Sequence, residues 1–142
     1  MENEGEWEMD QLQKRLIEFT KMHDDFIVSW NDAMKTGDTS RLDRMTEDYY
    51  VAFFQPGTSQ PMIFSKQQSI DGMKQSVSHF IGAAKKFENR VIRLRDAEHA
   101  VVFYELLIVK DEEVAARLFT IENWELINEK WMITRETEEP IH

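Results

Sequence analysis

Seven side chains able to move a proton or form an ion pair interrupt stretches that are otherwise apolar: His23, Tyr50, His79, His99, Glu105, Arg117 and Glu122. A carboxylate or imidazole acting as base, with a phenol or protonated acid steadying a developing oxyanion in an apolar cavity, is what cofactor-free isomerases and cyclases require. His23 is the first candidate, because it lies on the apolar stripe of a long helical pattern. Its competing role is that of a core histidine with one hydrogen-bond partner. Tyr50 enters a strand of core composition, where a buried phenol needs a partner, and it is the candidate donor. Glu105 is the second candidate base. His79 fits a solvated helix end and His99 an exposed position beside a turn.

Other chemistries lack support. Cys is absent, which excludes disulfides, thiolate ligands and cysteine nucleophiles and suits a reducing cytoplasm. Asp24-Asp25 and Glu138-Glu139 are adjacent pairs rather than ligands at helical spacing, so no metal site is expected. No glycine-rich phosphate loop or Gly-x-Ser-x-Gly elbow occurs, and no cofactor is expected.

These residues must be held by a fold, and one domain spanning 1–142 suffices, with 1–8 and 138–142 expected to be flexible. Hydrophobic residues make up 42% and aromatics 11%, enough for a core despite a net charge of −10. That charge repels phosphate backbones and anionic membranes, so neither nucleic acid nor membrane is an expected partner. The acidic start lacks a signal-peptide pattern and no window resembles a membrane span, which together predict a cytoplasmic protein.

Leu12, Leu16, Phe19, His23, Phe26, Ile27, Trp30 and Met34 recur at three- and four-residue intervals, predicting a helix of about seven turns that stops at Gly37. Asp38 offers an N-cap for a short second helix carrying Leu42 and Met45. The run Tyr49 to Phe54 reads as a strand ended by Pro56-Gly57, and Met62 to Phe64 as a short extended piece. Ser65 and Gln68 match a capping box opening a helix with Ile70, Met73, Val77 and Phe80 on one face. Beyond it the period changes to that of strands, roughly 86–95, 98–109, 113–127 and 130–137, whose short connections predict an antiparallel meander.

Val101 to Val109 is apolar at odd and even positions, so both faces of that strand must be covered. Helices can cover one face; a second copy of the chain covering the other predicts a homodimer through the outer sheet face. A three-residue turn at Lys110-Asp111-Glu112 would set Glu105 opposite Arg117 as a structural pair, whereas a two-residue turn would put Arg117 opposite Leu106. A two-residue turn at Asn128-Glu129 would pair Trp124 with Ile133, Leu126 with Trp131 and Glu122 with Arg135, making both tryptophans core residues.

The order of these pieces resembles the nuclear transport factor 2-like superfamily, in particular its small bacterial SnoaL-like and ketosteroid-isomerase-related members. The matching pieces are Trp30 with Gly37-Asp38, the Asp48-Tyr49 strand entry, the Lys66-to-Ile70 helix start and Trp131 in the last strand. The resemblance implies an α+β, cystatin-like cone: a curved antiparallel sheet wrapped around a long N-terminal helix and two shorter ones, with a pocket between sheet and helices. It does not select an activity. Three readings follow. The leading one is a pocket protein that binds a small, largely apolar molecule, without a requirement for turnover, at Trp30, Tyr50, Phe54, Phe80 and His23. The second is a cofactor-free isomerase, cyclase or dehydratase using His23 or Glu105 with Tyr50. The third is an interaction subunit using the sheet face.

Overall fold

The computed structural model describes residues 4–141, with side chains from Asp10 onward. Helix α1 (Glu4–Thr36) is followed by a single 3-10 turn (Ser40–Leu42), strands β1 (Met45–Phe53) and β2 (Met62–Ser65), helix α2 (Lys66–His79), and strands β3 (Ala84–Asp96), β4 (His99–Lys110), β5 (Glu113–Ile127) and β6 (Lys130–Pro140). The six strands form one sheet in the order β2-β1-β6-β5-β4-β3. The last four make the expected antiparallel meander. Strand β1 joins β6 in parallel, with Tyr50 to Phe53 paired to Arg135 to Glu138.

Helix α1 ends where Gly37 takes a positive φ of 83° and donates its N–H to the Ala33 carbonyl at 2.7 Å. Its buried stripe starts at Phe19 and runs through His23, Phe26, Ala33 and Met34. Leu12 and Leu16, expected on that stripe, are 37% and 39% exposed. Phe19 meets the Trp131 ring edge-on at 4.9 Å, and Phe26 meets Trp124 at 5.2 Å, so both tryptophans are core residues. The expected second helix is only the 3-10 turn, because Met45 already belongs to β1. Its N-cap is Thr39 rather than the expected Asp38, which instead accepts from the Ser40 N–H at 3.0 Å. The Ser65–Gln68 capping box is formed in both directions, at 3.3 and 2.9 Å.

Two hairpins have two-residue turns with both residues at positive φ: Asp111 and Glu112 (52° and 65°), and Asn128 and Glu129 (50° and 62°). This is the arrangement whose twist matches that of the flanking strands. The first turn corrects the Glu105–Arg117 register. A shift between Ile108 and Val109 sets Arg117 opposite Leu107 and Glu105 opposite Phe119. The pair survives as a diagonal contact of 3.3 Å between partly exposed side chains. The second turn pairs Trp124 with Ile133 and Leu126 with Trp131 as expected, but one extra residue in β6, Thr134, then places Glu122 opposite Glu136 instead of Arg135. The end of the chain expected to be flexible is hydrogen-bonded strand through Pro140, which pairs with Leu118.

A similar bulge lies in β3, where Asn89 has φ 55° and the register shifts between Glu88 and Val91. Because side chains alternate across a sheet, one extra residue exchanges the faces of everything beyond it. The two bulges decide which polar groups look inward. In β3 these are Lys85 before the bulge and Arg90 after it; in β6 they are Glu136 and Glu138.

Candidate active site

Between α1, α2, β1 and the inner sheet face lies a cavity of about 290 Å³, at the lower end of the range for small-molecule sites. Its apolar wall includes Phe26, Trp30, Val51, Phe53, Phe64, Met73, Phe87 and Leu106. Helix α2 turns Gln68, Ser69, Gly72, Met73 and Ser76 toward it, residues that share a face at three- and four-residue spacing. The titratable groups in the wall are Tyr49, Lys85, Tyr104, Glu136 and Glu138.

Lys85 is fixed from both ends. The Asn31 side chain on α1 accepts from the Lys85 N–H at 2.9 Å and donates to its carbonyl at 3.2 Å, replacing a neighbouring strand at this sheet edge. The Lys85 ammonium sits 3.3 Å from the centre of the Trp30 ring. Burial pushes its amine down to about 8, an effect partly offset by the negative charge of Glu138, Glu136 and Glu122. Glu136 moves the opposite way. Burial, then the neighbouring Glu138 and Glu122, hold its carboxyl well above the usual range. Burial and the same carboxylates raise the phenols of Tyr49 and Tyr104, keeping both as donors.

Beneath the cavity lies a dry network. Trp124 donates to Glu122 Oε1 at 2.9 Å, His23 Nε2 lies 2.8 Å from the same oxygen, and the Tyr104 hydroxyl donates to Oε2. Arg90 Nη1 reaches His23 Nδ1 at 3.1 Å, while Nη2 donates to Asp24 at 2.7 Å. A guanidinium can only donate, so Nδ1 accepts, the proton sits on Nε2, and His23 donates to Glu122. Glu122, 1% exposed, thus accepts from three donors, two on Oε1 and one on Oε2. Among the described residues Tyr104 alone belongs to both the network and the cavity wall.

The residues named from sequence are dispersed. Trp30 lines the cavity. His23 is fully buried one layer below it, with both ring nitrogens engaged. Tyr50 faces the other side of the sheet, 3.3 Å from Arg135 and beside Asp48, Arg95 and His99. Phe54 also lies outside the cavity wall; the residues before these two, Tyr49 and Phe53, line it. The six-residue run is apolar in both registers, so nothing local says which half points inward. Phe80 packs against the satellite cluster of Met34, Val77, Ala83 and Ile108, and the exposed His79 meets its ring edge-on at 4.7 Å. Glu105 is on the outer face with Arg117. Lys85, Glu136, Glu138, Tyr49 and Tyr104 were missed; the one local signal was Asn89, a residue that tolerates positive φ and marks a bulge. Among the described residues no group of His, Asp and Glu converges to hold a metal ion.

No protein-family model matches the chain, and no curated protein matches it. Solved structures do. An NTF2-like protein of cystatin-like fold from Novosphingobium aromaticivorans aligns at TM-score 0.67 and 12% identity, over 92% of this chain and 86% of that one. The hexachlorocyclohexane dehydrochlorinase LinA-type3 from Novosphingobium barchaimii LL02 aligns at TM-score 0.67 and 8% identity, over 92% and 91%. A protein of unknown function with a cystatin-like fold from Nostoc punctiforme aligns at 0.63 and 16%, over 82% and 86%. The fold is NTF2-like. At these identities the likeness is one of architecture, which a dehydrochlorinase and a protein of unknown function share. The chemistry of this cavity follows from its own polar groups, Tyr49, Lys85, Tyr104, Glu136 and Glu138. Among the described residues no helix is long and apolar enough to cross a membrane.

Proposed function

We propose that this chain binds a small, largely apolar molecule in the cavity, its polar end seated against Lys85, Tyr49 and the Glu136–Glu138 pair. The observation that carries the reading is the segregation of the wall: aromatic and aliphatic on most sides, with its titratable groups supplied by inward positions of β1, β3, β4 and β6. Gly72 provides the test. A Cβ built there meets nothing within 4 Å, so a larger side chain enters free space. A neutral naphthalene dye should bind once per chain in the micromolar range. Gly72→Phe should weaken that binding tenfold or more while leaving the circular dichroism spectrum unchanged. Equal binding by the variant would place the dye elsewhere and end the proposal.

A second reading, proton-transfer catalysis of the isomerase, cyclase or dehydratase kind, is favoured by one pairing. An acid pushed up (Glu136) and an amine pushed down (Lys85) line the same cavity, the pattern by which acid and base are made available near neutral pH. In this reading His23, Glu105 and Tyr50 have no part, because none reaches the cavity. We also propose a homodimer through the outer sheet face, supported by the exposure of Val91, Val114 and Phe119 there (54%, 52% and 42%). A cytoplasmic location is part of the same proposal, in keeping with the lack of cysteine.

A further inference from the structure

The chain has nine lysines, and eight of them need no explanation beyond the surface. Lys85 is different. Its backbone is clamped by Asn31, its side chain lies in the cavity wall, and its nitrogen rests on the Trp30 ring without an ion-pair partner among the described residues. Its neighbour Lys86 points the other way and is exposed. A lysine held in an apolar cavity beside acids and phenols is arranged as a nucleophile rather than as a surface charge.

We infer that Lys85 forms an iminium with the ligand, and that the ligand class is an aldehyde or unhindered ketone on an apolar frame. This rests on the cavity-binding reading above. The neutral amine attacks the carbonyl carbon. The N–C bond forms as the carbonyl π bond opens, the oxygen takes a proton, and the nitrogen releases one. The C–O bond of this carbinolamine then breaks, the oxygen leaves with a second proton as water, and the nitrogen lone pair closes the C=N bond. Amine, carbonyl and one proton become iminium and water, with no oxidation or reduction. Glu136 is the acid placed to supply protons to that oxygen, and Tyr49 and Tyr104 can donate hydrogen bonds to it. The iminium draws electrons from the adjacent carbon, which acidifies its C–H bonds for the proton transfers of the second reading.

Among the described residues the titratable groups facing Lys85 are Glu136 and Glu138 from β6, Tyr104 from β4 and Tyr49 from β1, with the charge of Glu122 on β5 acting from the network beneath, while α1 and α2 present Trp30 and uncharged side chains. With the amine brought down to about 8, far more of it is neutral near neutral pH than of an ordinary lysine.

The test uses 2-naphthaldehyde with cyanoborohydride, which reduces an iminium to a stable amine. Intact-mass analysis should give one fast adduct, and fragmentation should place it on Lys85 at a rate at least tenfold that of Lys86. Lys85→Met and Gly72→Phe should each abolish the fast adduct, and Glu136→Gln should slow it. If Lys85 is labelled no faster than Lys86 while the naphthalene dye still binds, the iminium is refuted and the binding reading survives. If neither dye nor aldehyde enters the wild-type cavity, both fall.

Discussion

Glu122 accepts from His23, Trp124 and Tyr104 with less than 2% of its surface exposed, so its removal strands three donors in a dry interior. Glu122→Ala should cost about 3–5 kcal/mol, read from the denaturant midpoint, and a loss below about 1 kcal/mol would show the network to be dispensable. Glu136 carries the opposite sign. Its carboxyl is held above the ordinary value of 4.5, so the folded chain keeps a proton that the unfolded chain loses. Stability therefore falls as pH climbs from 4.5 toward the folded value. Glu136→Gln should leave the melting temperature unchanged near pH 4 and raise it by about 3 °C or more near pH 8. A rise of equal size at both values would remove the titration from the explanation. Lys85 adds a distinct limb. Its lowered amine penalises the folded state below about 8, and that penalty is relieved between about 8 and 10.5.

The turns and bulges act at the scale of the element. Glu112 holds φ 65° in a turn that favours Asp-Gly, and Asp111 already occupies the first position. Glu112→Gly should stabilise the chain by about 0.5–1 kcal/mol without altering the cavity, measured by thermal unfolding and dye binding together. Destabilisation would mean that the Glu112 side chain makes a contact worth more than the backbone strain. The bulges at Asn89 and Thr134 have a different consequence, since each swaps the two faces of its strand. Continuing the alternation of Trp131 and Ile133 would turn Arg135 inward; Thr134 interrupts it, so Glu136 and Glu138 face the cavity and Arg135 meets Tyr50 outside. The acidic tail that reads as a solvated end is thus part of the cavity wall.

For the whole molecule, the outer sheet face is the open matter. Strand β4 is buried on its inner face at Ala100, Val102, Tyr104, Leu106 and Ile108, while the alternate residues stay partly exposed in a single chain. With Phe119 and Val91 beside them, a second copy is the proposed cover. Sedimentation at micromolar concentration should give twice 16.9 kDa, and Phe119→Lys should return the single-chain mass. A wild-type protein sedimenting at 16.9 kDa would remove the homodimer.

The helix over Phe19 to Met34, its stop at Gly37, the Ser65–Gln68 cap and the meander of the last four strands were all legible in the chain, because each depends on neighbours a few residues apart. The site was not. Whether Tyr49 or Tyr50 points inward, whether Glu122 meets Arg135 or Glu136, and that β1 runs parallel beside β6 depend on partners as distant in sequence as Met45 and Ile133, and a single bulge reverses the answer. Only the assembled sheet decides which side of a strand is dry, and that choice gathers Lys85, Glu136 and Glu138 around one cavity.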